Sequence, residues 1–301
     1  MDASVPRTVP ADASTWSPPL PAATGFDHFV VETPGLRSHV AAIGEGEPVV
    51  LLHGFPQHWW QWREIAPRLA EHGYRAICPD LRGAGWTAAD EPRIRRETRL
   101  HDLVALLDVL EVDRVRLVCH DMGAITGAQF AYAHPERVAS MVMLSVPPTF
   151  MSFSPKLMSG LDHLPPLSLH RRGRSLAWLF TDEYAAQGFA PETVESYLSP
   201  TRRPEIDGAI GRLYRGMILP EAGRIFRGAY KKQRLHAPTL IVFGRHDEPF
   251  TEDLVRRISG DPARFADRLE FAFVDGAAHF ITDDAPDDVS ALALDWFERA
   301  G

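Results

Sequence analysis

The chain has 301 residues, 45% of them hydrophobic and 24% charged, with a net charge of −8. A chain of this length buries most of its apolar surface without disulfide or metal staples. Its acidic balance gives no footprint for nucleic acid or an anionic membrane, and no apolar run approaches the about 18 residues of a spanning helix. Its two cysteines, Cys78 and Cys119, lie in apolar segments and read as buried free thiols.

Residues 1–24 are rich in Pro, Ala, Ser and Thr and lack the basic start and apolar centre of a signal peptide. They read as a flexible arm, with the cytoplasm as the default compartment. Phe26 to Glu32 and Leu36 to Ile43 alternate in polarity and join through Pro34-Gly35, which predicts a β-hairpin. Pro48 to Leu52 is a compact apolar run, as in a strand buried on both faces. A helix over Gln61 to His72 stops at Gly73, and Arg75 to Pro79 forms the next strand. From Glu97 to Leu110, the residues Leu100, Leu103, Val104, Leu107 and Leu110 share one helical face. A strand over Arg116 to Cys119 follows, then a helix over Ala124 to Ala133 and a strand over Val138 to Leu144.

After Pro147-Pro148 the rhythm breaks. Residues 149–234 carry many arginines, Pro165-Pro166 and short helical patterns, but no convincing strand. The rhythm returns with strands over Thr239 to Phe243 and Leu269 to Val274. A last helix presents Val289, Leu292, Ala293 and Trp296 on one face. This alternation predicts an α/β chain, a mostly parallel sheet with helices on both faces. Residues 25–148 and 235–301 form its core. Residues 149–234 form an inserted helical cap over the carboxyl edge of the sheet, where α/β ligands bind.

Three residues stand just beyond strand patterns: Asp121, Asp247 and His279. Asp121 sits on the turn Cys119-His120-Asp121-Met122-Gly123, between an apolar strand and a helix of small residues. That is the layout of a nucleophile elbow. A carboxylate there is already ionised at neutral pH and can attack an alkyl carbon directly. Each residue also has a plainer reading: Asp121 as a helix N-cap, Asp247 as a turn residue before Pro249, and His279 as a core histidine. Their order and strand context favour a nucleophile, an orienting acid and a base. His53-Gly54-Phe55-Pro56 follows another buried strand. It reads either as an ordinary βα turn or as half of an oxyanion hole, with backbone N–H groups from Phe55 and Met122.

These segments resemble the α/β-hydrolase-fold epoxide hydrolases, relatives of the haloalkane and fluoroacetate dehalogenases. His53 to Arg63 is similar to their HGFP-x-x-W-x-x-W-R stretch, Asp80 to Gly85 to D-x-R-G-x-G, and His120 to Ala124 to the H-D-x-G-A/G elbow. Cys119 departs from the usual glycine two residues before the nucleophile. The resemblance implies that Asp121 attacks an epoxide carbon to form an alkyl–enzyme ester. It further implies that His279, oriented by Asp247, activates water against that ester, and that the Phe55 and Met122 N–H groups hold the oxyanion. It also implies two cap donors to the epoxide oxygen. Tyr214 matches the late-cap tyrosine followed by arginine. The first donor has no clear match among His163, His170, Trp178 and Tyr184, and His170 is the candidate taken here. Plainer readings are amphipathic packing for Tyr214 and a solvated face for His170.

The substrate so implied is a small apolar epoxide, with water as co-substrate and no cofactor or metal. Nothing in the sequence excludes a homo-oligomer. Halide-displacing relatives carry a tryptophan, or carboxylate-binding arginines, just after the nucleophile. Met122 and Ile125 offer neither. Another hydrolase chemistry on this fold and a non-enzymatic binding protein are the remaining alternatives.

Overall fold

The computed structural model describes residues 7–10 and 16–300. Ten strands form one sheet: β1 (Arg7–Pro10), β2 (Asp27–Thr33), β3 (Leu36–Ile43), β4 (Glu47–Leu52), β5 (Tyr74–Pro79), β6 (Ala88–Ala89), β7 (Val115–His120), β8 (Val138–Leu144), β9 (Thr239–Gly244) and β10 (Leu269–Val274). Their spatial order is β1-β2-β3-β5-β4-β7-β8-β9-β10, with β6 paired to β3. The first strands run antiparallel through the β3–β5 pair, and β5 to β10 in this order are parallel.

The helices are α1 (Ile65–Glu71), α2 (Arg96–Val109), α3 (Met122–Ala133), α4 (Leu164–Ser168), α5 (Pro191–Leu198), α6 (Pro204–Leu213), α7 (Leu219–Phe226), α8 (Glu252–Ser259), α9 (Ile281–Asp284) and α10 (Pro286–Ala300). Side-chain alternation along the central strands builds two cores. Val50 and Leu52 of β4 and Leu117 of β7 face α2, α3 and α8, while Val49, Leu51 and Val118 face α1 and α10. Each such side chain, fully withdrawn from water, contributes about 1.5–3 kcal/mol. Parallel strands covered on both sides therefore read as unbroken apolar runs in the sequence.

Helices α4 to α7 lie between β8 and β9; α4, α5 and α6 build a third apolar cluster, which includes Leu167, Leu179, Ile210, Leu213 and Met217 together with Met122 of the core, while Ile225 of α7 joins the first core. Trp178 stands on the outer face of this block, 43% exposed.

The N-terminal segment differs from the flexible arm expected of its composition. Arg7–Pro10 pairs antiparallel with β2. Farther along, the Trp60 indole N–H donates to the Ala22 carbonyl (2.9 Å) and that of Trp86 to Pro18 (2.6 Å). Trp16 packs edge-on against His39 at 4.9 Å, and Leu20 and Ala23 rest on the core. Proline removes backbone donors but not carbonyls, so a proline-rich strip can still be held by side chains that donate to it. The parts of this expectation that concern residues 1–6 and 11–15 lie outside the described residues.

Candidate active site

Asp121 ends β7 and opens α3 with φ 49° and ψ −117°, a backbone conformation that L residues rarely adopt. It occupies the N-cap position, yet its side chain makes no capping bond. Instead the carboxylate turns outward, and Oδ1 accepts the Phe55 N–H at 2.9 Å. The turn is possible because α3 approaches β4 closely: a Cβ on Gly123 would overlap the Leu52 and His53 carbonyls. Cys119 is accommodated by a matching absence on the helix, since a Cβ on Gly127 would come within 2.7 Å of its sulfur.

The strand order brings the other two residues to the same edge. His279, in the loop between β10 and α9, points Nε2 at Asp121 Oδ2 from 3.9 Å and Nδ1 at Asp247 Oδ2 from 3.4 Å. Both are ion-pair distances rather than direct hydrogen bonds, and Asp247 Oδ2 is buried without a hydrogen-bond partner. Asp247, on the turn after β9, is 3% exposed, unlike an ordinary turn aspartate. The His279 carbonyl is fixed from below by the His120 Nε2–H (2.8 Å) and the Ser145 hydroxyl (2.9 Å). His120 and Ser145 thus hold His279 in place, a role their positions in the sequence do not announce.

The electrostatics follow from this arrangement. Burial opposes charge on His279, but the negative charges of Asp247 and then Asp121 outweigh it and raise the pKa to about 8. For Asp121, burial would raise the pKa. His279, His120 and the Phe55 and Met122 N–H groups reverse this and hold it below the usual carboxylate value. Burial dominates at Asp247 and pushes its pKa up.

The loop that carries Phe55 is held by Asp80, which in the sequence stands out only as part of a motif. Its carboxylate accepts the Trp59 N–H (2.8 Å) and the Trp86 N–H (3.0 Å) and pairs with His39 (2.8 Å). Gln61 accepts the Gly54 N–H at 3.0 Å. Buried carboxylates need such partners, and here they also lock the turn that presents Phe55.

A cavity of about 180 Å³ opens above Asp121 and His279. Its walls are mostly apolar, with Phe55, Met122, Ile125, Leu179, Ile218 and Phe280 among them. The cap contributes Tyr214, His163 and Tyr184 to the lining. Tyr214 lies on a turn of π-helix (Tyr214–Ile218) and packs edge-on against Phe55 at 5.3 Å. Its phenol pKa is raised by burial first and by Asp121 and Tyr184 next, so the hydroxyl stays protonated. The His163 ring is 6.4 Å from that of Tyr214, and burial lowers its pKa. Tyr184 faces His279 instead, at 6.2 Å.

His170 is not part of this cavity, which corrects the expectation for the first cap donor. Its Nε2 pairs with Asp207 Oδ1 of α6 at 2.6 Å, and Asp207 also accepts the Gly173 N–H at 2.7 Å. His170 therefore closes a turn of the cap. Among the described residues, no group of three or more His, Cys, Asp or Glu is placed to hold a metal ion, and no helix is long and apolar enough to cross a membrane.

A profile of the alpha/beta hydrolase fold matches residues 47–286. The chain is similar to epoxide hydrolase 2 of Siraitia grosvenorii, 47% identical over 124 residues that make up 40% of this chain and 39% of that protein. The match thus spans about two fifths of that relative's length. It is also similar to a fluoroacetate dehalogenase of a Burkholderia species, 27% identical over 92% of this chain and 95% of that one. Among solved structures, an epoxide hydrolase from Vigna radiata superposes with a TM-score of 0.72 at 27% identity, covering 91% of this chain and 98% of that one.

Proposed function

Because the chain belongs to the alpha/beta hydrolase fold family, we propose that it is a hydrolase that opens epoxides to vicinal diols through an ester on Asp121. The observation that carries this reading is the division of the Asp121 carboxylate. Oδ1 is held by the Phe55 N–H, and Oδ2 faces His279 and the cavity beneath Tyr214. Oδ2 attacks an epoxide carbon as the C–O bond breaks, and the departing oxygen takes a proton from the cap. Tyr214 gives that proton in this scheme, and the neutral His163 ring, which lines the cavity beside it, donates a hydrogen bond. Water then loses a proton to His279 Nε2 and adds to the Asp121 carboxyl carbon. The charge that develops on Oδ1 falls where the Phe55 and Met122 N–H groups already point. Collapse of this intermediate expels the diol's alkoxide, which His279 reprotonates.

The pKa shifts support the order of steps. In the resting protein the imidazole is held protonated by two carboxylates. Forming the ester removes the Asp121 charge, so the His279 pKa falls, its proton passes to solvent, and the neutral imidazole is a base when the water step needs one.

Displacement of halide is the second reading, favoured by the full-length similarity to a dehalogenase. Against it, the described cavity lining contains no arginine, lysine or tryptophan to hold a carboxylate or a halide. One experiment separates the two. His279→Gln is mixed with a panel of epoxides, haloalkanes and fluoroacetate, and the intact protein is weighed. Epoxides are expected to add their whole mass to Asp121. Wild-type protein in heavy-oxygen water is expected to carry label in Asp121 after one turnover. Halide release with no epoxide adduct would overturn the reading.

A further inference from the structure

The Asp284 carboxylate collects three backbone N–H groups from two distant parts of the chain. Oδ2 accepts from Ala278 and from Ala186, and Oδ1 from Gln187, each at 2.9 Å. Ala278 immediately precedes His279. Ala186 and Gln187 belong to the cap, in the strap that follows Tyr184. The same strap reaches the loop at two further points: the Phe280 N–H donates to the Tyr184 carbonyl (2.8 Å), and the Gln187 side chain donates to the Gly276 carbonyl (3.1 Å). The Phe280 ring stacks on Phe180 at 5.4 Å and meets Phe189 edge-on at 5.2 Å.

The loop that carries His279 is therefore gripped from two sides. The core holds its carbonyl through His120 and Ser145, while the backbone donors on either side of His279 are spent on Asp284 and on the strap. Asp121, in contrast, is fixed by the core alone, through its own turn and Phe55. We propose that Asp284 is a positioning residue that couples the seating of the cap strap to the placement of His279. Hydrolysis of the ester, but not attack by Asp121, then depends on that seating. This proposal rests on the two-step reading given above.

Single-turnover mixing with an epoxide, quenched and weighed, follows ester formation and decay separately. Asp284→Ala is expected to form the ester near the wild-type rate and to lose it about 10- to 100-fold more slowly, the scale of a small misplacement of a catalytic group. Asp284→Glu, which keeps a carboxylate, is expected to recover part of the decay rate. Hydrogen exchange is expected to rise together in residues 184–187 and 276–280 of Asp284→Ala. Decay at the wild-type rate, or equal slowing of both steps in a folded variant, overturns the proposal. If Asp284→Ala does not fold, Asp284→Asn, which keeps one acceptor oxygen, carries the same comparison. Should the wild-type protein form no ester, the two-step reading fails on its own. Unchanged exchange in the variant would then still overturn the coupling.

Discussion

Asp121 and His279 are worth more as a pair of charges than as two groups in a list. With His279 raised to about 8 by Asp247 and Asp121 against the opposing pull of burial, removing either carboxylate's charge must lower it. Asp121→Asn, titrated by NMR, is therefore expected to show a His279 pKa below about 8 and below that of wild type; an unchanged value would mean the coupling is absent. In kinetics, the pH midpoint for ester decay is expected below the midpoint for His279 in the resting protein. Tyr214→Phe is expected to slow ester formation about 100-fold, the scale of a lost general acid, and to leave ester decay nearly unchanged. Stopped-flow separation of the two phases checks this. The meeting of Asp121, Asp247 and His279 was legible because each follows a strand pattern, and parallel strands deliver such positions to one edge. His170 was not, because a cap of short helices fixes side-chain direction only through tertiary neighbours. His170 lies in the loop after α4, and its partner Asp207 is 37 residues away on α6.

Between elements, the cap and core meet through a small set of buried polar groups. Tyr197 of α5 donates to Asp283 at 2.8 Å, Arg63 reaches both Tyr197 and Asp283 at 3.0 Å, and Gln57 donates to Asp283 at 2.9 Å. Arg63 also lies over the Trp60 ring at 4.0 Å. Tyr197→Phe removes one donor to a shielded carboxylate. A loss of about 1–3 kcal/mol in urea unfolding is expected, the cost of a hydrogen bond to a charged group. A loss under half of that would place Asp283 in contact with water. Strong apolar periodicity made most core elements readable: β8 and β10 fall where the pattern places them, and α2 within a residue. The N-terminal strip was misread because its order comes from elsewhere. The indoles of Trp60 and Trp86 reach it across about 40 and 70 residues of sequence, a distance over which local pattern carries no information.

For the molecule as a whole, histidines set opposing limits on stability. Burial lowers His53 and His120 from their ordinary 6.5 to about 4. Unfolded chains take up those protons below pH 6.5 while the folded protein does not, so this stability is present above 6.5 and is lost as pH falls toward 4. His279 works in the other direction: its contribution is complete below 6.5 and fades as pH rises through about 8. Unfolding free energies from urea titration are therefore expected to peak near neutrality, falling toward pH 4 by up to about 1.4 kcal/mol per pH unit for each buried histidine. A flat profile from pH 4 to 7 would mean these imidazoles take up protons in the folded state.

The distribution of tryptophan offers an optical handle on the same molecule. Trp59, Trp62, Trp86 and Trp296 are sealed in the core, whereas Trp178 sits exposed on the cap, two residues before Phe180. Blue-shifted emission therefore reports the folded core, and the red component comes from Trp178 on the cap together with the partly exposed Trp16 and Trp60. The difference between wild type and Trp178→Phe isolates the Trp178 contribution, and its time course after mixing with substrate would show whether the surroundings of the strap change during the chemistry beneath it.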